Sequence, residues 1–210
     1  MSLVPFDGRW IAPERTALVL IDMQVDFASP DGALGCRGFD MTAPQAAVAQ
    51  AERLAAAARV AKVPCVFVRL ITRAEDETQF ARDYRVRRGD DTPPLCREGT
   101  RGAEFVGPRP QSGDYVVSKS RYSGFTGTRL EETLRVMGRD TLVLAGLTTE
   151  CCIDTTARDA FERDFHVFVV ADAVAAYTPE LHRNALDALE LNCALTISTD
   201  AVAALWDKSL

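Results

Sequence analysis

The chain has 210 residues, 47% of them apolar, enough for one globular domain with a substantial core, and no linker-like stretch divides it. Its 24 Lys and Arg against 30 Asp and Glu leave a net charge of -6, which repels phosphate backbones and anionic lipid alike and argues against nucleic-acid and membrane-surface partners. The opening residues carry neither a basic nor an apolar leader, and no window of about 18 residues is free of charge, so the expectation is a soluble cytoplasmic chain.

Thr16 leads into the apolar run Ala17–Ile21, a strand buried on both faces that ends at Asp22. Thr42, Pro44 and Gln45 read as an N-cap and capping box for an Ala-rich helix reaching about Lys62 and closed by Pro64. Cys65–Leu70 is a second strand. Residues 72–113 are dense in Pro, Gly and Arg and hold no sustained period, which predicts a long surface excursion of the kind that shapes a pocket. Tyr115–Val117 is a short strand leading to Ser118 and Lys119. Thr128 and Glu131 form a capping box for a helix with Leu130, Leu134 and Met137 on one face, stopped by Gly138.

Thr141–Ala145 is another apolar strand. After Gly146-Leu147-Thr148-Thr149 the pattern turns helical, with Ile153, Ala157, Ala160 and Phe161 aligned. Val167–Val170 is a strand ending at Ala171-Asp172, Thr178-Pro179 opens a helix bearing Leu181, Ala185, Ala188 and Leu189, and Ala194–Ile197 closes the series. Six strands alternating with helices predict a three-layer α/β/α fold, doubly wound around a mainly parallel sheet, with ligands bound beyond the strands' carboxyl ends.

Three reactive residue types lie just past such ends: Asp22, Lys119, and the adjacent Cys151 and Cys152. A thiol at a helix start beside an ammonium has its thiolate favoured and is a competent nucleophile. An aspartate nearby can take the thiol proton and return it to a leaving amine, work for which this chain offers only His166 and His182 as histidines. Taken singly, each of the three reads equally as a polar strand end, a solvated lysine or a small buried hydrophobe. The six cysteines, at 36, 65, 96, 151, 152 and 193, are too sparse for a disulfide scaffold and form no paired metal clips.

The stretches ALVLIDMQVDF (17–27), VVSKSRYSGFTGTRLEETL (116–134) and VLAGLTTECCIDTTARDAF (143–161) together resemble the isochorismatase-like cysteine hydrolase superfamily over nearly the whole chain. The resemblance implies a catalytic triad of Asp22, Lys119 and Cys152, leaving Cys151 for packing. It also implies a cis peptide between Leu147 and Thr148 and an oxyanion hole from the Thr148 and Cys152 amides. Nicotinamidases of this superfamily use an Asp-x-His motif and further histidines to bind a metal. The matching stretch Leu70–Glu75 has no histidine, so neither a metal nor nicotinamide is expected, and no cofactor is implied.

The presence of Cys152 favours amide or ureide cleavage. RYSGF and the segment Glu98–Glu104 are most similar to the ureidoacrylate, biuret and N-carbamoyl amidohydrolase branches. Phe27, Gln24 and Tyr122 are then candidates for the wall of a small-molecule pocket, and Arg69, Arg73 and Arg121 for a substrate carboxylate. Asp26 is expected to hold local backbone or the lysine, Asp172 to act as a structural cap, and His166 and His182 to be structural. Relatives assemble as homo-oligomers, dimers or tetramers, and the same is expected here. Two other readings stay open: a vinyl-ether hydrolase of the isochorismate type in which Asp22 protonates carbon, and a non-catalytic thiol sensor using Cys151 and Cys152.

Overall fold

The computed structural model describes residues 8–207; the Met1–Asp7 segment, read above for targeting signals, lies outside them. Six parallel strands form the sheet: β1 (Thr16–Ile21), β2 (Cys65–Leu70), β3 (Tyr115–Lys119), β4 (Thr141–Leu147), β5 (His166–Ala175) and β6 (Leu195–Ile197). Their spatial order is β3-β2-β1-β4-β5-β6, so the winding reverses between β1 and β4. Two single turns, α1 (Val25–Ala28) and α2 (Ala33–Cys36), follow β1. The longer helices are α3 (Thr42–Ala61), α4 (Gln79–Arg88), α5 (Leu130–Val136), α6 (Asp154–Phe161), α7 (Pro179–Asn192) and α8 (Thr199–Trp206).

All six β1 residues are buried because both sheet faces are covered, which is why the strand reads as a continuous apolar run. Leu18 and Leu20 face the layer holding α3, with Leu54 and Ala58 beneath them, while Val19 and Ile21 face Leu130, Leu134 and Ala157 of the other layer. Fully burying each such leucine contributes about 1.5–3 kcal/mol. Trp206 ties α8 to the chain start by donating from Nε1 to Ile11 O at 2.9 Å.

Several local expectations are corrected. Residues 72–113 contain α4, a helix with no buried residue and therefore no apolar stripe to betray it. It rests on its caps: Thr78 Oγ1 accepts from Ala81 N at 3.2 Å, Gly89 takes the left-handed conformation, and Arg85, Arg87 and Arg88 sit at the negative end of its dipole. The start of α3 is organised by Asp40, whose Oδ1 accepts from Thr42 N and Oγ1 at 2.8 and 2.6 Å, and Thr42 is not the cap. β5 continues past Asp172 because its pairing with β4 shifts register between Leu144 and Gly146, so Val167–Val170 and Ala173–Ala175 are two halves of one strand. Phe161 and Leu181, placed on buried faces by period, are exposed, and α8 was not expected at all.

Candidate active site

The β1/β4 reversal places two chain ends side by side, the geometry in which open α/β sheets form a crevice. Asp22 follows β1 with φ +51°, a left-handed conformation that aspartate tolerates better than most residues and that takes the chain out of the strand direction. Opposite Ile21 sits Gly146 with φ +136°; a Cβ there would run into the Ile21 carbonyl, so only glycine lets β4 approach β1 at this point. The Leu147–Thr148 peptide that follows is cis.

Lys119 ends β3, two strands from β1, and its side chain reaches this spot. Its Nζ donates to Asp22 Oδ2 at 2.7 Å, to Arg121 O at 3.1 Å and to Cys152 Sγ at 3.3 Å. Both charged side chains are 0% exposed. Cys152 lies in a single π-helical turn, Thr149–Ile153, that leads into α6. Asp22, Lys119 and Cys152, which the motifs single out, are therefore assembled around one ammonium.

The electrostatics divide the roles. Burial raises the Asp22 pKa, and the Lys119 charge and hydrogen bond restrain that rise. For Lys119 burial acts downward, but Asp22 and Cys152 outweigh it and the ammonium is held firmly charged. Contact with the Cys151 sulfur, burial and the Asp22 carboxylate together hold the Cys152 thiol well above its ordinary range, despite Lys119. A thiol raised in this way calls for a neighbouring proton acceptor. Asp22 Oδ1 fits that need, being buried with no hydrogen-bond partner.

Around the sulfur, the Thr148 N–H makes no hydrogen bond among the described residues, and Thr148 Oγ1 donates to Glu150 Oε1 at 2.9 Å. Thr149 Oγ1 meets His182 Nδ1 at 2.9 Å, tying the π-helical turn to α7. Tyr177 OH donates to Phe27 O at 2.7 Å. Sequence reasoning singled out neither Thr149 nor Tyr177, although Tyr177 sits just past the end of β5, where the strand-end rule applies. Among the described residues no group of three or more His, Cys, Asp or Glu is placed to hold a metal ion.

The isochorismatase domain family model matches residues 16–201. The chain belongs to the isochorismatase family. It is 34% identical over 191 residues to a ureidoacrylate amidohydrolase RutB of Methylobacterium radiotolerans, covering 85% of this chain and 74% of that protein. Another protein of that name, from Serratia proteamaculans, is 31% identical over 83% of this chain and 75% of its own length. Among solved structures, a cysteine hydrolase from Pseudomonas syringae pv. phaseolicola superposes with a TM-score of 0.83 at 28% identity, with 100% of both chains covered. N-carbamoylsarcosine amidase from Thermoplasma acidophilum gives 0.70 at 31% identity, covering 89% of this chain and 97% of the other.

Within this isochorismatase-family chain, the other expected site residues scatter. Gln24 is fully buried and its amide is spent on backbone: Oε1 accepts from Leu70 N at 2.8 Å while Nε2 donates to Leu70 O at 2.9 Å and Ala103 O at 3.0 Å. It staples the end of β2 to the 72–113 excursion, and both of its amide hydrogens are taken by backbone. Phe27 is packed into the core cluster on the α3 face. Asp26 serves backbone as expected, accepting from Ala33 N at 2.9 Å and Cys96 N at 2.6 Å, and thereby anchors the same excursion.

Tyr122 is exposed. Arg69 donates to Ser118 Oγ at 3.1 Å and lies 5.8 Å from the Phe105 ring centre. Arg73 is locked in a bidentate pair with Glu98 at 2.5 and 2.7 Å. Asp172 is the structural cap expected, its Oδ1 accepting from Thr199 N and Oγ1 at 2.8 and 3.0 Å. His166 packs against Trp10 with ring centres 4.7 Å apart. A cavity of about 670 Å³ opens beside the Lys119 end of β3; Ser120 and Arg121 line it, whereas Asp22, Lys119 and Cys152 are not in its wall.

Proposed function

We propose that this isochorismatase-family hydrolase is a cysteine-dependent amidohydrolase acting on a carbon–nitrogen bond of a small amide, ureido or carbamoyl compound. The observation that carries the reading is the Lys119 ammonium held at 2.7 Å from Asp22 and 3.3 Å from Cys152 with Asp22 Oδ1 unpartnered. The names of the relatives, ureidoacrylate amidohydrolase and N-carbamoylsarcosine amidase, support the substrate class.

In the first half-reaction Cys152 Sγ bonds to the substrate carbonyl carbon while its proton passes to Asp22 Oδ1. The carbonyl oxygen gains negative charge, for which the N–H groups of Thr148 and Cys152 are the donors. The carbon–nitrogen bond then breaks, the nitrogen takes the Asp22 proton, and ammonia or an amine departs, leaving a thioester. In the second half-reaction water gives a proton to Asp22 and its oxygen to the acyl carbon; the carbon–sulfur bond breaks and Cys152 recovers its proton. A raised Asp22 pKa serves both halves, because the carboxyl must hold a proton long enough to deliver it.

Ammonia release from a panel of ureido acids, carbamoyl amino acids, biuret and maleamate tests the reading. Wild type is expected to turn over at least one of them, and Cys152→Ser to lose that turnover with its melting temperature retained. Undiminished ammonia release by Cys152→Ser would defeat the mechanism, and no release by wild type from any of the panel would defeat the substrate class.

A further inference from the structure

The Lys119 ammonium has three donors and three acceptors, and one of these is not a side chain: the Arg121 carbonyl, at 3.1 Å, completes the set with Asp22 and Cys152. That carbonyl sits on a short exposed arch, residues 120–122, between the end of β3 and the buried Ser123, Gly124 and Phe125. The arch is held at this buried foot. Ser123 Oγ accepts from Phe125 N at 3.0 Å and donates to Asp159 Oδ2. Gly124 N donates to Thr156 Oγ1 at 2.9 Å. A Cβ on Gly124 would lie 3.1 Å from Leu130 Cδ2 and 3.4 Å from Thr156 Cγ2, so glycine lets the foot sit this close to α5 and α6. Arg163 braces the same corner, pairing with Asp159 at 2.7 Å and lying 5.1 Å from the Phe125 ring centre.

We infer that Ser123, Thr156 and Asp159 are positioning residues that clamp the turn after β3 onto α6 and so fix the Lys119 ammonium against Cys152. This rests on the cysteine mechanism proposed above. Thr156 and Asp159 follow Cys152 by four and seven residues, and α6 continues directly from the π-helical turn that holds the sulfur. One element therefore carries both the nucleophile and the anchor of the carbonyl that orients its cation. Lys119 reaches the site on a flexible four-carbon stem, of which β3 fixes only the backbone end. With three acceptors at set positions the ammonium has one place to stand. With the carbonyl loose it can tip toward Asp22 and away from the sulfur. Ser123 is 2% exposed and Thr156 0%, so these hydroxyls are buried and satisfied by the clamp itself.

Iodoacetamide labelling of Cys152 at neutral pH, followed by peptide mass, reads the ammonium's hold on the sulfur without any substrate, because the thiolate is the reacting form. Thr156→Val keeps the side-chain shape and removes the acceptor. Asp159→Ala removes the Ser123 partner at a part-exposed position, and carries the test alone should Thr156→Val not fold. Each should slow labelling about tenfold and lower kcat by a similar factor on the panel compound that wild type turns over fastest, with KM within about twofold. Thr156→Ser and Asp159→Asn keep an acceptor oxygen and should stay within about threefold of wild type. A merely structural part would give the opposite sign at the sulfur, since a loosened fold exposes Cys152 and speeds its labelling. Labelling as fast as wild type or faster in the disruptive variants that fold, KM rising with kcat held, or conservative variants as impaired as the disruptive ones would overturn the inference. A wild-type Cys152 that does not label would overturn it too. If the panel yields no ammonia while labelling follows the expected order, the substrate class falls and the clamp stands. If labelling is indifferent to the variants while Cys152→Ser abolishes ammonia release, the clamp falls and the mechanism stands.

Discussion

Replacing Lys119 by methionine keeps the aliphatic stem and deletes the ammonium 2.7 Å from Asp22 Oδ2, in a pair with both side chains 0% exposed. At that separation and an effective dielectric of about 20, the attraction is on the order of 6 kcal/mol, much of which the desolvation of both charges offsets. What decides the outcome is the carboxylate left alone in the interior, and the expected loss at neutral pH is about 3–5 kcal/mol. Asp22 can relieve this only by taking a proton; burial already raises its pKa, and Lys119 is the chief influence holding it down. In the variant its folded pKa therefore moves further above the unfolded value. The deficit relative to wild type should be small in acid and grow as pH rises through the wild-type Asp22 value, which burial places above the ordinary aspartate value of about 3.9. Wild-type Lys119, raised in the folded state despite burial, contributes fully below the ordinary lysine range and loses its share only as pH climbs through the folded value. Urea denaturation at acid, neutral and alkaline pH measures both limbs, and adding Asp22→Asn to Lys119→Met should recover much of the loss by removing the stranded charge. A Lys119→Met protein within about 1 kcal/mol of wild type at neutral pH, or a double variant no more stable than the single, would refute the argument.

Gln24→Ala strands the Leu70 N–H and the carbonyls of Leu70 and Ala103, and at about 1 kcal/mol or more for each orphaned group it should lower the melting temperature by roughly 5–10 °C. If Gln24 were instead a substrate contact, KM would rise with the melting temperature unmoved. In the pH profile of kcat/KM, the acid limb should lie above the ordinary aspartate value of about 3.9, because burial raises Asp22 and the reaction needs its carboxylate. An acid limb at or below that value would assign the proton acceptor elsewhere.

The fold was legible wherever burial writes a period into the chain. β1, β2 and β4 are covered on both faces and read as apolar runs, and α3 and α6 bury one stripe each. α4 was invisible for the complementary reason: a helix that buries nothing has no stripe, and its capping signals, Thr78 and Gly89, were lost among the other turn residues of the excursion. The three reactive side chains were legible because each stands near a strand's carboxyl end: Asp22 just past β1, Lys119 as the last residue of β3 and Cys152 in the turn that follows β4. Gln24 misled for a physical reason as well. A polar residue two positions past a strand looks like a ligand contact, but its amide matches, donor for acceptor, two segments of backbone that β-pairing leaves unsatisfied at the edge of the excursion. The expected pocket arginines could not be sorted in the sequence, since what commits Arg73 is a carboxylate from a distant turn that happens to reach it.

In the mechanism proposed above, a shared ammonium also explains how a buried thiol could react without histidine. Moving the Cys152 proton to Asp22 creates no new charge: the negative charge passes from a carboxylate 2.7 Å from Lys119 to a sulfur 3.3 Å from the same Nζ. The ammonium remains paired before and after, so the large cost of ionising a thiol in an apolar interior is replaced by a short transfer between two sites of similar potential. An imidazole in the place of Asp22 would start neutral and finish charged, adding a second cation beside Lys119 in the same closed volume. With the lysine already fixed at the end of β3, a carboxylate is the base that keeps the site's total charge favourable at both ends of the proton's path.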